Sequence, residues 1–137
     1  MSGADTKTEN GLKILLIEDT PLLRKLLVTI LRGNNYTVME AANGEEALTK
    51  LSKERPDAIL CDLSMPVMDG RAFIQKFRSQ KSNQNIPIVV LSAEDHPDLE
   101  AELRTLGANG IIDKTTNHAE LIKRLQAFLP AKAVPNR

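Results

Sequence analysis

Five polar side chains suited to phosphoryl chemistry stand at the ends of short apolar runs in this sequence. They are the carboxylates of Glu18, Asp19 and Asp62, the hydroxyl of Ser92 and the ammonium of Lys114. Crowded carboxylates repel one another unless a cation lies among them, and oxygen ligands without cysteine or histidine favour a hard ion, Mg²⁺ or Mn²⁺. Such an ion would neutralise charge on a transferring phosphoryl group, with Lys114 and Ser92 binding further oxygens. Asp62 could then act as the nucleophile and form an aspartyl phosphate.

These side chains meet only if the apolar runs form neighbouring strands, and the pattern along the chain predicts that they do. Short apolar runs alternate five times with amphipathic stretches of helical spacing. The runs lack the alternation of half-exposed strands, which indicates a parallel sheet covered on both faces. Five strand–helix units with short connections predict an α/β fold, a (βα)5 doubly wound domain. The predicted strands are 13–17, 36–41, 58–61, 88–91 and 110–112.

The predicted helices begin at recognisable start signals. Thr20 before Pro21 combines a capping hydroxyl with a proline at the first helical position, and apolar pairs from Leu22 to Leu31 predict a broad buried stripe on this helix. The other four helices begin near Asn43, Asp69, His96 and His118, the last running to about Leu129. Ligand sites of such sheets lie beyond the carboxyl ends of the strands. We therefore expect all five reactive side chains to converge on one edge.

Length and charge balance limit the possible functions. The chain has 137 residues, with 18 Lys plus Arg against 18 Asp plus Glu, so it lacks the basic surplus of a protein that binds nucleic acid through its phosphates. The apolar runs are too short for membrane insertion, and residues 1–11 lack the apolar segment of a secretory signal. We expect a cytoplasmic protein with one domain at 12–129, a disordered segment at 1–11 and a flexible tail at 130–137.

Each candidate residue also has a plainer interpretation when it is taken alone. Acids are favoured near helix N-termini, a serine at the end of a strand is commonly a turn residue, and most lysines are solvated surface charges. Cys61 is the single cysteine and lies in an apolar run, so we expect an inert buried thiol and no disulfide within the chain. The joint occurrence of all five at successive strand ends favours the functional interpretation.

The segments around these residues resemble the receiver domain of bacterial response regulators, the family that accepts phosphoryl groups from histidine kinases. The matching segments are ILLIED at 14–19, CDLSMPVMDG at 61–70, VVLSA at 89–93 and GANG at 107–110, followed by Lys114. The resemblance spans about residues 12–129. It implies a flavodoxin-like five-stranded sheet with the strand order 2-1-3-4-5.

The resemblance also implies a role for each candidate residue. It implies that Mg²⁺ is held by the carboxylates of Glu18, Asp19 and Asp62 and by the backbone carbonyl of Ser64. Asp62 would accept phosphate from a phosphohistidine, Ser92 would swing toward the phosphoryl group, and Lys114 would pair with it. Ser64 and Glu94, two positions past Asp62 and Ser92, would flank the phosphoryl group and tune its lifetime.

Two positions depart from the family pattern. Receivers usually carry Tyr or Phe three residues before the lysine, where this chain has Ile111. A branched aliphatic side chain has no ring to swing between buried and exposed positions, so aromatic-coupled switching does not carry over. The lysine is usually followed by proline, often in a cis-peptide setting, and here it is followed by Thr115. A cis bond before a non-proline residue costs about 2.5–4 kcal/mol.

From these observations we expect a single-domain response regulator that signals through a partner or passes its phosphate on. It would not be an enzyme beyond its own phosphorylation and dephosphorylation. The resemblance implies a histidine kinase or a histidine phosphotransfer protein as the donor. It also implies a downstream effector at the face formed by the fourth helix, fifth strand and fifth helix, and it leaves a homodimer open.

Two other functions compete with this expectation. A receiver-like scaffold, whose contacts do not depend on phosphorylation, is kept open by Ile111 and Thr115. An enzyme on the same architecture fits less well. An aspartyl-phosphate phosphatase would have a second Asp where this chain has Ser64, and a nucleotide binder would have a glycine-rich loop after the first strand.

Overall fold

The computed structural model describes residues 11–130, and the remainder of the predicted disordered ends, 1–10 and 131–137, lies outside the described residues. Five parallel strands form one sheet in the order β2-β1-β3-β4-β5. The strands are β1 (Lys13–Ile17), β2 (Thr37–Ala41), β3 (Ala58–Asp62), β4 (Ile88–Ser92) and β5 (Gly110–Asp113), and the helices are α1 (Pro21–Gly33), α2 (Gly44–Leu51), α3 (Gly70–Arg78), α4 (Leu99–Leu106) and α5 (His118–Gln126). The predicted α/β class, (βα)5 topology and strand order are confirmed.

Helices cover both faces of the sheet, as the unbroken apolar runs predict. Alternate residues of each strand point to opposite faces, so Leu15 and Ile17 pack with α2, α3 and α4, whereas Ile14 and Leu16 pack with α1 and α5. Every residue of β3 and β4 is buried. Cys61 belongs to this buried set, as expected, and burial raises the pKa of its thiol. The two apolar layers fix the strands whose ends carry the polar side chains.

The buried stripe of α1 is narrower than the sequence pattern predicts. Leu27, Val28 and Leu31 are buried, but Leu22 is 79% exposed and Leu26 is 42% exposed, so the predicted broad buried stripe is wrong at these two positions. A helix advances about 100° per residue, and the apolar set on α1 is wider than the strip that the sheet can cover. These two side chains therefore face solvent.

Several element ends also differ from the sequence prediction. Thr20 precedes α1 but makes no capping hydrogen bond with its side chain. The fourth helix begins at Leu99, later than the predicted start near His96, because residues 96–98 form a separate turn in which the Leu99 amide donates to the His96 carbonyl at 3.1 Å. The fifth helix ends at Gln126, before the predicted end near Leu129. The amides of residues 127–129 instead donate to the carbonyls three residues earlier, as in a 3₁₀-helix.

Among the described residues no peptide bond is cis, the Lys114–Thr115 bond included. Within 11–130 no helix is both long enough and apolar enough to cross a membrane.

Gly70 lets α3 approach the strand that carries Asp62. A Cβ atom at this position would lie 2.6 Å from the Asp62 carbonyl oxygen and 2.8 Å from the Leu63 Cα. Both neighbours are backbone, and the Gly70 amide donates to the Leu63 carbonyl at 2.9 Å. The strand and the helix therefore cannot separate without breaking this hydrogen bond.

We predict that Gly70→Ala lowers the free energy of unfolding by about 1–3 kcal/mol, the usual cost of overpacking a core. Gly33→Ala is the matched control, because no atom lies within 4 Å of a Cβ built there, and its stability should equal or slightly exceed that of the unsubstituted chain. Urea unfolding followed by circular dichroism measures both. Equal stability of the two variants would contradict the packing argument.

Candidate functional site

The structure brings the sequence-predicted side chains to one edge of the sheet. Glu18 and Asp19 follow β1, Asp62 ends β3, Ser92 ends β4 and Lys114 follows β5. The register places Asp62 beside Leu91 and Ser92 beside Asp113, so the ends of β3, β4 and β5 are level. The convergence expected from a parallel sheet is therefore present in the structure.

Three carboxylates form the centre of the site. One oxygen from each of Glu18, Asp19 and Asp62 lies within 4.8 Å of the others. Glu18 is fully buried, Asp62 is 2% exposed, and Asp19 is half-buried at the mouth of the pocket. We call this group the acidic pocket. Like charges at this separation and burial are costly unless cations compensate them.

Lys114 supplies one compensating charge. Its Nζ lies 2.9 Å from Asp62 Oδ1 and 3.6 Å from Glu18 Oε1. Partial burial disfavours the charged ammonium, but the hydrogen bond to Asp62 and the charges of both carboxylates outweigh it, so the pKa of Lys114 is raised. The ammonium therefore stays protonated and points into the acidic pocket.

Glu18 is held in place by three hydrogen bonds, each of which uses a backbone atom of Glu18 or of its partner. Its amide donates to the Ala41 carbonyl at 3.0 Å, its Oε2 accepts from the Thr20 amide at 3.1 Å, and its carbonyl accepts from Arg24 Nη1 at 2.8 Å.

Burial raises the pKa of the Glu18 carboxyl, and the nearby charge of Asp62 adds to the effect, while the Thr20 amide and Lys114 act against it. The pocket thus holds Glu18 in a position where its charge is unfavourable.

Two oxygen atoms of the pocket are without hydrogen bonds. Among the residues that the structure describes, Glu18 Oε1 and Asp62 Oδ2 are the buried side-chain oxygens that lack a hydrogen-bond partner. A buried carboxylate oxygen left in this way is costly. Both atoms belong to the all-oxygen donor set that suits a hard divalent cation. The residues present therefore fit a bound Mg²⁺ or Mn²⁺.

Ser92 and Ser64 lie at the rim of the pocket. Ser92 Oγ accepts a hydrogen bond from the Glu94 amide at 2.9 Å, so the hydroxyl is engaged with the loop that follows β4. Ser64 is exposed in the loop after β3, and its amide donates to Asp62 Oδ1 at 3.3 Å. The use of the Ser64 backbone carbonyl as a metal ligand stays a prediction.

The loop between β3 and α3 has an unusual conformation beside the pocket. Val67 has a φ of +68°, which is strained for a β-branched residue, and the Met68 amide donates to the Pro66 carbonyl at 2.7 Å across it. Asp69 then caps α3 by accepting from the Ala72 amide at 2.9 Å. The Met68 carbonyl also accepts from the Gly44 amide of α2 at 3.2 Å, which ties this turn to its neighbour, and strain of this kind clusters at functional sites.

Thr115, which stands where the family usually has proline, bonds to Asp113, a residue that the sequence analysis did not mark, and together they position Lys114. Asp113 Oδ1 accepts from both the amide and the hydroxyl of Thr115, each at 2.7 Å, and these bonds lower the pKa of Asp113. The Lys114 amide donates to the Ser92 carbonyl at 3.0 Å. Asp side chains commonly accept a hydrogen bond from the backbone amide two residues on, so the turn at Asp113 was readable from the sequence.

Five parallel strands in this order, with carboxylates, a hydroxyl and an ammonium at their shared carboxyl edge, define a flavodoxin-like α/β domain with an acidic pocket. The family model of the response regulator receiver domain matches residues 14–126, and the chain belongs to this family. Receiver domains work in two-component signalling, together with histidine kinases and downstream effectors.

Individual proteins of known sequence or structure agree with this assignment. The sporulation initiation phosphotransferase F of Bacillus subtilis is 32% identical over 121 residues, which cover 88% of this chain and 96% of that protein. The chemotaxis protein CheY4 of Vibrio cholerae has a similar structure, with a TM-score of 0.81, 36% identity, and coverage of 86% of this chain and 98% of that one.

A third similar structure contains a metal. It is the receiver domain of the sensor histidine kinase PA1611 from Pseudomonas aeruginosa PAO1, with a magnesium ion coordinated in its active site cleft. Its TM-score is 0.77 with 34% identity, and the match covers 85% of this chain and 96% of that one. The chain spans about half the length of several other curated relatives that it matches.

The raised pKa of Glu18 implies that the free energy of unfolding depends on pH. Below the ordinary value of 4.5 the group is protonated in both the folded and the unfolded chain, so its ionisation costs nothing. As the pH rises from 4.5 toward the raised folded-state value, the unfolded chain loses its proton while the folded chain still keeps it, so the folded state is progressively disfavoured. Glu18→Gln removes this effect because the amide does not ionise.

We therefore predict that the stability of Glu18→Gln relative to the unsubstituted chain increases as the pH is raised above the ordinary carboxyl value of 4.5 in the presence of EDTA. Urea unfolding at a series of pH values measures the difference. A difference that stays constant, or that moves the other way, would contradict the assignment of an unfavourable buried charge to Glu18.

Proposed function

We propose that this receiver domain accepts a phosphoryl group on Asp62 from a phosphohistidine donor in a Mg²⁺-dependent reaction. It then signals through a partner protein or passes the phosphate on. The observation that carries the proposal is the state of the Asp62 carboxylate. One of its oxygens is held by Lys114 at 2.9 Å, and the other is buried without a hydrogen bond.

The divalent ion would be held by the carboxylates of Glu18, Asp19 and Asp62 and by the backbone carbonyl of Ser64. When bound, it supplies charge neutralisation for the transferring oxygens. The donor set on which this rests is the cluster of three carboxylate oxygens within 4.8 Å. The magnesium in the cleft of the similar PA1611 receiver domain supports the same choice of ion.

The chain's own residues account for the transfer step. A carboxylate oxygen of Asp62 forms a bond to phosphorus while the phosphorus–nitrogen bond of the phosphohistidine breaks, and the imidazole leaves with the electron pair. Lys114 Nζ, already 2.9 Å from Asp62 Oδ1, is placed to bind a phosphoryl oxygen. Ser92 would leave its hydrogen bond with the Glu94 amide and donate its hydroxyl to another oxygen.

This chemistry makes the chain a switch rather than an enzyme that turns over an external substrate. It would catalyse at most its own phosphorylation and dephosphorylation. We propose a cytoplasmic protein whose donor is a histidine kinase or a histidine phosphotransfer protein. The effector would bind the face formed by α4, β5 and α5, and phosphorylation could also promote a homodimer through that face.

A scaffold that does not depend on phosphorylation is the second candidate, and one observation favours it. Ile111 on β5 is half-buried against the layer formed by α2, α3 and α4, where it lacks an aromatic ring that could rotate outward. If the output does not use ring rotation, the partner surface could be the same in both states. The phosphorylation experiment below separates the two candidates.

The central test is incubation with acetyl phosphate and Mg²⁺ followed by intact-mass measurement. We predict one added phosphoryl group on the unsubstituted chain, none on Asp62→Asn, and none when EDTA removes the metal. Asp95→Asn is the matched control because Asp95 is exposed in the loop after β4, and it should be phosphorylated normally. The proposal fails if Asp62→Asn gains the same phosphoryl group, or if the unsubstituted chain gains none.

A further inference from the structure

A second charged cluster lies outside the acidic pocket and joins α3 to α4 and to the loop after β4. Arg71 on α3 lies between Glu94 of this loop and Glu102 of α4. Its Nη1 and Nη2 donate to the two oxygens of Glu94 at 3.3 and 3.1 Å, and its Nη2 and Nε donate to the two oxygens of Glu102 at 3.1 and 2.5 Å. A planar guanidinium that makes two bonds to each partner fixes their geometry as well as their charge.

Glu94 is connected to the acidic pocket through its backbone. Its amide donates to Ser92 Oγ at 2.9 Å, and Ser92 ends the strand paired with the one that ends at Asp62. The Glu94 side chain therefore leaves the chain two residues beyond the hydroxyl that borders the pocket. Its carboxylate is directed toward α3 by Arg71, and His96 Nε2 is a weaker neighbour at 3.5 Å.

The charge of Glu94 matters because the pocket already contains three carboxylates. A phosphoryl donor is itself an anion, and its approach is opposed by every negative charge that the metal and Lys114 leave uncompensated. A Glu94 carboxylate released from Arg71 could turn toward the rim and add to that repulsion. Held by Arg71, it is paired and directed elsewhere.

We propose that Arg71 is a positioning residue for phosphoryl transfer, which holds the Glu94 carboxylate against α3 and keeps a fourth negative charge away from the incoming phosphoryl group. The inference deepens the function proposed for Asp62 and rests on it. It assigns different roles to the two partners of Arg71. Glu94 is the group that must be held, and Glu102 helps to orient the guanidinium.

Two simpler roles for Arg71 would produce some of the same effects. The cluster could serve only to tie α3 to α4, or Arg71 could act only through its positive charge, which attracts anions. Double substitutions distinguish these roles. Arg71→Met with Glu94→Gln, and Arg71→Met with Glu102→Gln, each remove one positive and one negative charge. They differ in whether a charged Glu94 remains without its partner.

The experiment is the initial rate of Asp62 phosphorylation by acetyl phosphate at a fixed Mg²⁺ concentration. We predict that Arg71→Met is slower by about three- to tenfold at low ionic strength, and that the difference shrinks as salt screens the repulsion. The double variant with Glu94→Gln should recover to within about twofold of the unsubstituted chain, whereas the double variant with Glu102→Gln should stay slow. Glu102→Gln alone should slow the reaction less than Arg71→Met does, because Arg71 keeps its two hydrogen bonds to Glu94.

Three results would overturn the inference. They are a normal rate for Arg71→Met, equal recovery of the two double variants, and no recovery in either of them. Urea unfolding of each variant shows whether a slow rate reflects lost stability, which would lower the rate of Arg71→Met and of both double variants together. A lack of any Asp62-dependent phosphorylation in the unsubstituted chain would instead overturn the function proposed for Asp62.

Discussion

The mutual repulsion of three carboxylates in a partly water-excluded pocket is the constraint on which the rest of this structure depends. Two unit charges about 4 Å apart interact by about 4 kcal/mol at the effective dielectric typical of protein surfaces. Glu18 and Asp62 are both buried, and one oxygen of each lacks a hydrogen bond. An arrangement this unfavourable persists only because the two surrounding apolar layers hold the strands in place.

The fold meets this constraint by bringing a cation from a strand two positions away in the sheet. Asp62 ends β3 and Lys114 follows β5, with β4 between them. The long side chain of Lys114 spans that gap. The backbone of Lys114 is fixed by the hydrogen bond from its amide to the Ser92 carbonyl and by the Asp113–Thr115 turn. One ammonium cannot neutralise three carboxylates, so the pocket keeps a net negative charge that attracts a divalent ion. The overall charge balance of the chain does not reveal this local field.

The sequence could predict the features of the fold and site that depend on apolar periodicity and on which residues end each strand. Unbroken apolar runs required a covered parallel sheet, and that topology required Glu18, Asp62, Ser92 and Lys114 to share one edge. The exposure of Leu22 and Leu26 could not be predicted, because it depends on how wide a strip of α1 the sheet covers. The bonds from Arg71 to Glu94 and Glu102 join residues that are 23 and 31 positions apart, and no local pattern marks such a contact.

Lys114 and a divalent cation neutralise the same carboxylates, Asp62 and Glu18, and therefore compete. The most direct measurement is the Mg²⁺ affinity of Lys114→Met against the unsubstituted chain, determined by isothermal titration calorimetry. Lys53→Met, an exposed lysine in the connection from α2 to β3, serves as the charge-matched control. Lys114→Met should bind Mg²⁺ about threefold or more tightly than the unsubstituted chain, while the affinity of Lys53→Met should be little changed. Unchanged or weaker binding by Lys114→Met would contradict this competition.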